Sequence, residues 1–128
     1  MYRLWILFLS ILLLAACSEE NSFQIGLGQW KDIQVSVESR PNPVSHGMNE
    51  FLIIANKRHR RPAYDLIVSL RTSENEPWKQ TIQDGHVGVY RRAVSVQDPL
   101  KDILQVQLKE GGDVGVLYFP LAPKKMPK

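Results

Sequence analysis

The sequence contains a single cysteine, Cys17, so no disulfide bond can form within one chain. The apolar run at residues 4–16 is 13 residues long, which is short of the roughly 20 that a membrane-spanning helix needs. The Gly-x-Ser-x-Gly, His-Glu-x-x-His and Walker motifs are all missing. These absences leave no recognisable nucleophile, metal helix or phosphate loop, and they predict a non-enzymatic protein with no catalytic residues.

The N-terminus has the layout of a secretory signal peptide. Arg3 supplies the positive charge, residues 4–16 supply the apolar segment, and small residues precede Cys17. The ending Leu-Ala-Ala-Cys resembles the lipobox of bacterial lipoproteins. The resemblance implies cleavage after residue 16, acylation of the Cys17 thiol and attachment to a membrane through that lipid. An uncleaved anchor is disfavoured by the short run and by the polar residues 18–21 that follow it.

The residue after the cysteine bears on location. In Gram-negative lipoproteins an aspartate at that position tends to retain the protein at the inner membrane, whereas this chain has Ser18. The resemblance therefore implies a lipid anchor in the outer membrane, with the protein facing the periplasm.

Composition after residue 16 indicates one exported domain. The remaining 112 residues carry 15 basic and 13 acidic side chains, because the signal segment removes only Arg3 from the totals. This balance and an exported location both argue against a nucleic-acid partner. Residues 17–29 are predicted to be the lipidated cysteine and a tether.

The hydrophobic pattern of the mature chain has a period near two, which is typical of strands. About seven short strands are predicted, separated by turns at proline-, glycine- and aspartate-rich segments. The fold class predicted is all-β: a small antiparallel immunoglobulin-like sandwich over residues 30–121, followed by a frayed basic tail at 122–128. A small open barrel is the alternative.

Local signals refine the strands. Residues 110–113, Glu-Gly-Gly-Asp, predict a tight hairpin. The valines on either side of Arg91 and Arg92 change phase, which suggests a β-bulge there. Residues 78–82 are predicted to form one weak strand. Trp30, Trp78 and Tyr90 are expected to pack in the core.

Two groups of residues are candidates for binding. His46, Met48 and His86 combine imidazole and thioether, a set that suits copper, so a copper-binding role is the alternative function. Lys57, Arg58, Arg60 and Arg61 form a charge cluster between two apolar strands, suited to an anionic surface or an acidic protein. A solvated hairpin tip is the simpler interpretation of that cluster.

From Pro43 onward the chain resembles the YtkA-like and FixH-like exported β-sandwich domains. The matching segments are Gly47 to Ile53, Pro62, residues 88–90 (Gly-Val-Tyr) and residues 104–106 (Leu-Gln-Val). The resemblance implies a β-sandwich and, as the alternative function, copper handling or cytochrome-oxidase assembly. Trp78 and Lys79 stand where that family has a methionine-rich segment. The leading hypothesis is a periplasmic lipoprotein without cofactor that binds an envelope protein partner.

Overall fold

The computed structural model describes residues 24–123, which fold into two antiparallel β-sheets packed face to face. The predicted all-β antiparallel sandwich is confirmed. Within this range the chain forms ten strands, and seven of them have five or more residues. In chain order they are β1 (Gln24–Trp30), β2 (Ile33–Arg40), β3 (Gly47–Lys57), β4 (Arg61–Pro62), β5 (Ile67–Arg71), β6 (Lys79–Gln80), β7 (Ile82–Gln83), β8 (Val89–Val96), β9 (Ile103–Glu110) and β10 (Asp113–Pro120).

The first sheet has the order β1-β2-β3-β8-β7, with β4 paired to the end of β3. The second sheet has the order β10-β9-β5-β6. The alternating pattern of the sequence places one face of each long strand in the core between the sheets, because successive side chains point to opposite faces. The largest fully buried side chains are Tyr90, Phe51, Ile33, Ile53, Leu70, Leu104 and Leu108.

The hairpin predicted at residues 110–113 is confirmed. Asp113 pairs with Glu110, so Gly111 and Gly112 are the two loop residues between β9 and β10. Gly111 has φ +60°, a conformation that glycine adopts without steric cost.

Residues 24–29, predicted as part of the tether, instead form most of strand β1, which pairs with β2. The reason lies in the glycines. A Cβ at Gly26 would lie 2.8 Å from Phe119 Cδ1, and one at Gly28 would lie 3.1 Å from Leu117 Cδ1. The missing side chains therefore let β10 of the other sheet pack directly against β1. Glycines that suggested a flexible tether are packing positions.

A matching contact is made by a side chain of β1 over a glycine of β10. The Trp30 indole covers Gly115, where a methyl group would overlap the ring. Trp30 is partly buried against the core. Aromatic rings from each strand thus lie over glycines of the other, and this closes one side of the sandwich.

The predicted β-bulge near Arg91 and Arg92 is wrong. The pairing of β3 with β8 runs without a shift from Gly47–Val96 to Ile54–Val89. The buried positions of β8 are Tyr90, Val94 and Val96, which share one parity. The apparent phase change came from Val87, which lies before the strand and is exposed, and from Val89, which is partly buried on the outer face of β8.

The single strand predicted at residues 78–82 is divided between the two sheets. Lys79–Gln80 pairs with β5 in the second sheet, and Ile82–Gln83 pairs with β8 in the first. Thr81 lies between them, and both its backbone N–H and its hydroxyl donate to the Val68 carbonyl at 2.8 Å. These two hydrogen bonds to one carbonyl fix the point where the chain crosses between the sheets.

The loops lie at two ends of the sandwich, named here by the direction of β1. The entry end is the end from which the chain enters β1, and it carries the loops at residues 41–46 and 97–102 and the last described residues, Leu121 to Pro123. The far end carries the turns at 31–32, 58–60, 84–88 and 111–112. Across residues 24–123, no helix has the length and apolarity to cross a membrane.

Candidate functional site

The basic turn, residues Lys57 to Arg61, is a tight reversal at the far end. A 3-10 turn at Arg58–Arg60 links β3 to β4, and β4 folds back so that Arg61 pairs with Lys57 and Pro62 with Asn56. His59 and Arg60 have φ values of +61° and +57°. Two consecutive non-glycine residues in the left-handed region are uncommon and cost conformational energy. The pairing of β4 with β3 holds them in this conformation.

The arginines of this turn point into solvent without acidic partners. Arg58, Arg60 and Arg61 are exposed, and no carboxylate among residues 24–123 lies within 4.0 Å of their guanidinium nitrogens. The absence of local neutralisation leaves a concentrated positive field at this end.

A shallow concavity adjoins the arginines on the outer face of the first sheet. Gln29 pairs with Gln34 and Gln34 pairs with Asn56, so three amide side chains form a row across β1, β2 and β3. This row lines the concavity with Asp32 and residues 57–60. Guanidinium groups beside neutral amides offer several hydrogen-bond donors to carboxylate oxygens.

Lys57 differs from the arginines because it belongs to a partly exposed cluster of ion pairs. Its Nζ lies 3.4 Å from Glu110 Oε2 and 3.7 Å from Asp65 Oδ1. Desolvation on its own lowers the pKa of Lys57, but the nearby carboxylates of Asp65 and Glu110 outweigh it, so the pKa is raised above 10.5. The same Glu110 lies 3.8 Å from Lys31, which also pairs with Asp113.

This cluster corrects the expectation that Lys57 and the arginines form one exposed surface. Glu110 at the end of β9 and Asp65 in the connection from β4 to β5 both pair with the lysine at the end of β3. Lys57 ties the two sheets together, whereas Arg58, Arg60 and Arg61 stay available to a ligand.

The structure does not bring His46, Met48 and His86 together. His46 and Met48 lie at the entry end, and Met48 pairs with Ser95. His86 lies at the far end, where its ring meets the Tyr64 ring edge to face at 5.8 Å. Six residues of β3 separate Met48 from Ile54, the partner of Val89, which corresponds to about 20 Å. Within residues 24–123, no three His, Cys, Asp or Glu side chains are close enough to hold a metal ion.

Cys17, the predicted lipid attachment site, lies outside the described residues, as do residues 18–23 and the end of the predicted tail, residues 124–128.

One polar group on the second sheet was missed by the sequence analysis. Tyr118 pairs with Gln105 and Gln105 with Arg71, so the three side chains form a row on the outer face. Arg71 Nε donates to Gln105 Oε1 at 2.8 Å, and its guanidinium lies 4.1 Å from the centre of the Trp78 ring. Trp78, predicted in the core, is therefore half-buried on the surface under Arg71. The sequence signal for this row was that Arg71 and Gln105 are polar residues directly next to the apolar Leu70 and Val106, and so point to the opposite face of the sheet.

Comparison with known proteins gives no match: no family model, no curated protein and no solved structure matches this chain. The geometry of the described residues and the sequence motifs are therefore the basis for assigning a function.

Proposed function

We propose that this protein is a lipid-anchored periplasmic lipoprotein of the bacterial outer membrane, without enzymatic activity, that binds an acidic surface of an envelope protein through Arg58, Arg60 and Arg61. The observation that carries the proposal is the group of exposed arginines at the far end, which have no carboxylate within 4.0 Å of their guanidinium nitrogens among the described residues. The anchor in this proposal comes from the Leu-Ala-Ala-Cys motif at residues 14–17.

The backbone of the basic turn limits the directions in which its arginines can point. Tight hairpin turns place residues at positive φ, where non-glycine residues have little conformational freedom. His59 and Arg60 adopt that conformation, which fixes the directions of the neighbouring arginines. Pre-organised cations lose less conformational entropy on binding than flexible ones do.

The anchor is tested by replacing Cys17. In cells supplied with a labelled fatty-acid analogue, we expect Cys17→Ser to lose the label and to leave the membrane pellet, because the acylated thiol is gone. A single acyl chain binds membranes only marginally, so stable attachment depends on the several chains of a lipoprotein. Ser18→Ala is the matched control and should keep both label and pellet. Label that persists in Cys17→Ser would contradict the lipobox interpretation.

The binding surface is tested by a pair of charge-matched variants. Arg58→Gln/Arg60→Gln and Arg40→Gln/Lys109→Gln each remove two exposed positive charges, but only the first pair lies in the basic turn. After crosslinking and solubilisation of membranes, we expect the wild type and the second variant to retain the same partner bands and the first variant to lose them.

The retained bands should also weaken when the crosslinking itself is carried out at about 1 M instead of about 0.1 M salt, because the screening length falls from about 10 Å to 3 Å. Equal retention by all three proteins, or no retained protein with any of them, would contradict the proposal.

A further inference from the structure

The loop at residues 97–102, called here the Leu100 loop, holds an apolar side chain in solvent. Leu100 is 72% exposed, more than any other large hydrophobic residue in the described part of the chain. A leucine in a flexible loop would fold back onto the protein, because that removes its side chain from water. A leucine held out by its own backbone stays available for contact with an apolar phase.

Hydrogen bonds fix the backbone of the Leu100 loop. The N–H of Leu100 donates to Asp98 Oδ1 at 3.0 Å, and the N–H of Gln97 donates to Asp102 Oδ2 at 2.9 Å. The N–H of Asp102 donates to the Asp98 carbonyl at 2.8 Å, and Leu121 donates to the Asp102 carbonyl at 3.1 Å. The tip is therefore rigid and tied to Leu121, the residue that follows β10.

The Leu100 loop lies at the entry end, because Val96 at its base pairs with Gly47. Strand β1 runs from Gln24 toward the far end, so its first residue, Gln24, points back toward the entry end, where the Leu100 loop lies. Seven residue steps separate Cys17 from Gln24, a reach of about 23 Å when extended. Gln24 pairs with Glu38, and Glu38 pairs with Leu52. Leu52 is five residue steps from Gly47 at the entry end, so Gln24 lies about 17 Å from the level of Gly47 along the strand direction.

We propose that the Leu100 loop is the membrane-contacting tip of this domain and that Leu100 inserts into the phospholipid bilayer that carries the Cys17 lipid. This inference rests on the proposed lipid anchor. The tether is long enough to let the tip reach the bilayer surface and too short to let the domain drift far from it. Lys101, which is exposed beside Leu100, extends its ammonium group to the lipid phosphates, as interfacial lysines do.

The orientation that follows gives the basic turn its role. Ten residues of β3 separate Gly47 from Lys57, about 33 Å along the strand. With the Leu100 loop on the bilayer, the arginines of the basic turn face away from it. They are then presented to a periplasmic partner rather than to the headgroups of the anchoring membrane.

The test uses the acylated protein purified from cells, in which Cys17 is blocked by lipid and an introduced cysteine is the one free thiol. Its mass reports acylation of Cys17 first, so a missing anchor is recognised before the membrane measurement. A polarity-sensitive fluorophore is attached at Lys101→Cys or, at the far end, at Gly112→Cys, where a side chain meets open space. Each protein is placed in vesicles of phosphatidylethanolamine and phosphatidylglycerol.

We expect a blue shift and quenching by spin-labelled lipid at position 101 and neither at position 112. Adding Leu100→Ser should abolish the effect at position 101, whereas Leu27→Ser, which removes a comparably exposed leucine from β1, should leave it unchanged. An acylated protein without a shift at position 101, an equal shift at position 112, or a shift that survives Leu100→Ser would overturn the proposal.

Discussion

Tyr90 illustrates how one buried polar group holds a loop to the core. The residue is 2% exposed, and its hydroxyl donates to the Ala63 carbonyl at 2.6 Å and accepts from the Leu66 N–H at 3.3 Å. The segment from Ala63 to Leu66 connects β4 to β5 and so crosses from the first sheet to the second. A single side chain therefore satisfies two backbone groups that the crossing leaves without strand partners.

Replacing Tyr90 by phenylalanine keeps the ring and removes those two bonds. We expect a loss of about 1–3 kcal/mol in the free energy of unfolding, because a buried carbonyl and a buried N–H lose their partner. Urea denaturation measured on the wild type and Tyr90→Phe gives the difference. A loss below about 0.5 kcal/mol would mean that water replaces the hydroxyl at no cost.

The pH dependence of the free energy of unfolding, measured for the wild type and for Tyr90→Phe, provides a control. Burial raises the pKa of Tyr90 above 10.0, so the folded state keeps the phenol proton more tightly than the unfolded state does. This stabilisation is fully present below pH 10 and is lost as the pH rises through the raised pKa. The advantage of the wild type over Tyr90→Phe should therefore shrink above pH 10. Lys31 and Lys57, whose pKa values are also raised, lose stabilisation equally in both proteins.

At the residue scale, the sequence predicts charge but not its neutralisation. Lys57 and Arg58 are adjacent cations in the sequence, yet one contacts Glu110, 53 positions later, and the other faces solvent. Asp65, eight positions from Lys57, is the more distant of its two acidic partners; the closer one, Glu110, is at the end of β9, whose position depends on how the second sheet packs on the first. No local pattern around residue 57 contains that information.

At the element scale, β9 shows where the alternating pattern is sufficient. Leu104, Val106 and Leu108 are fully buried as the pattern predicts. We expect Val106→Asp to unfold the domain, because an unpaired carboxylate would enter the core. Gln107→Asp, on the opposite and partly exposed face, should change stability by about 0.5 kcal/mol or less. Circular dichroism and thermal denaturation of both variants measure this, and equal losses would contradict the strand phase.

The sequence predicts less well those segments whose structure depends on contacts between the two sheets. Residues 78–83 divide between two sheets at Thr81, a crossing fixed by the distant Val68 carbonyl. Strand β1 was taken for a tether because Gly26 and Gly28 are common in linkers. Their space is filled by Phe119 and Leu117, more than 85 residues later. Glycine in a strand often marks a close approach of another part of the chain.

At the scale of the whole molecule, the first and last described strands, β1 and β10, hold the two sheets together. Strand β1 pairs with β2 in the first sheet and packs on β10 of the second. The partly buried Trp30 and Leu117 and the buried Phe119 lie along this contact. The folded domain therefore includes Gln24, so in the proposed lipoprotein only residues 18–23 separate it from Cys17. A short tether is what gives the sandwich a defined orientation in the proposal above.

The dependence of the sandwich on β1 leads to a prediction about truncation. A variant that begins at residue 31 should be strongly destabilised relative to one that begins at residue 24. Without β1, Phe119 and Leu117 become exposed, and burial of one such side chain contributes about 1.5–3 kcal/mol. The edge of β2 also loses its pairing partner, which favours aggregation. Urea midpoints and sedimentation of the two variants measure the difference. Equal midpoints would restore residues 24–29 to the tether and remove the orienting constraint on the Leu100 loop.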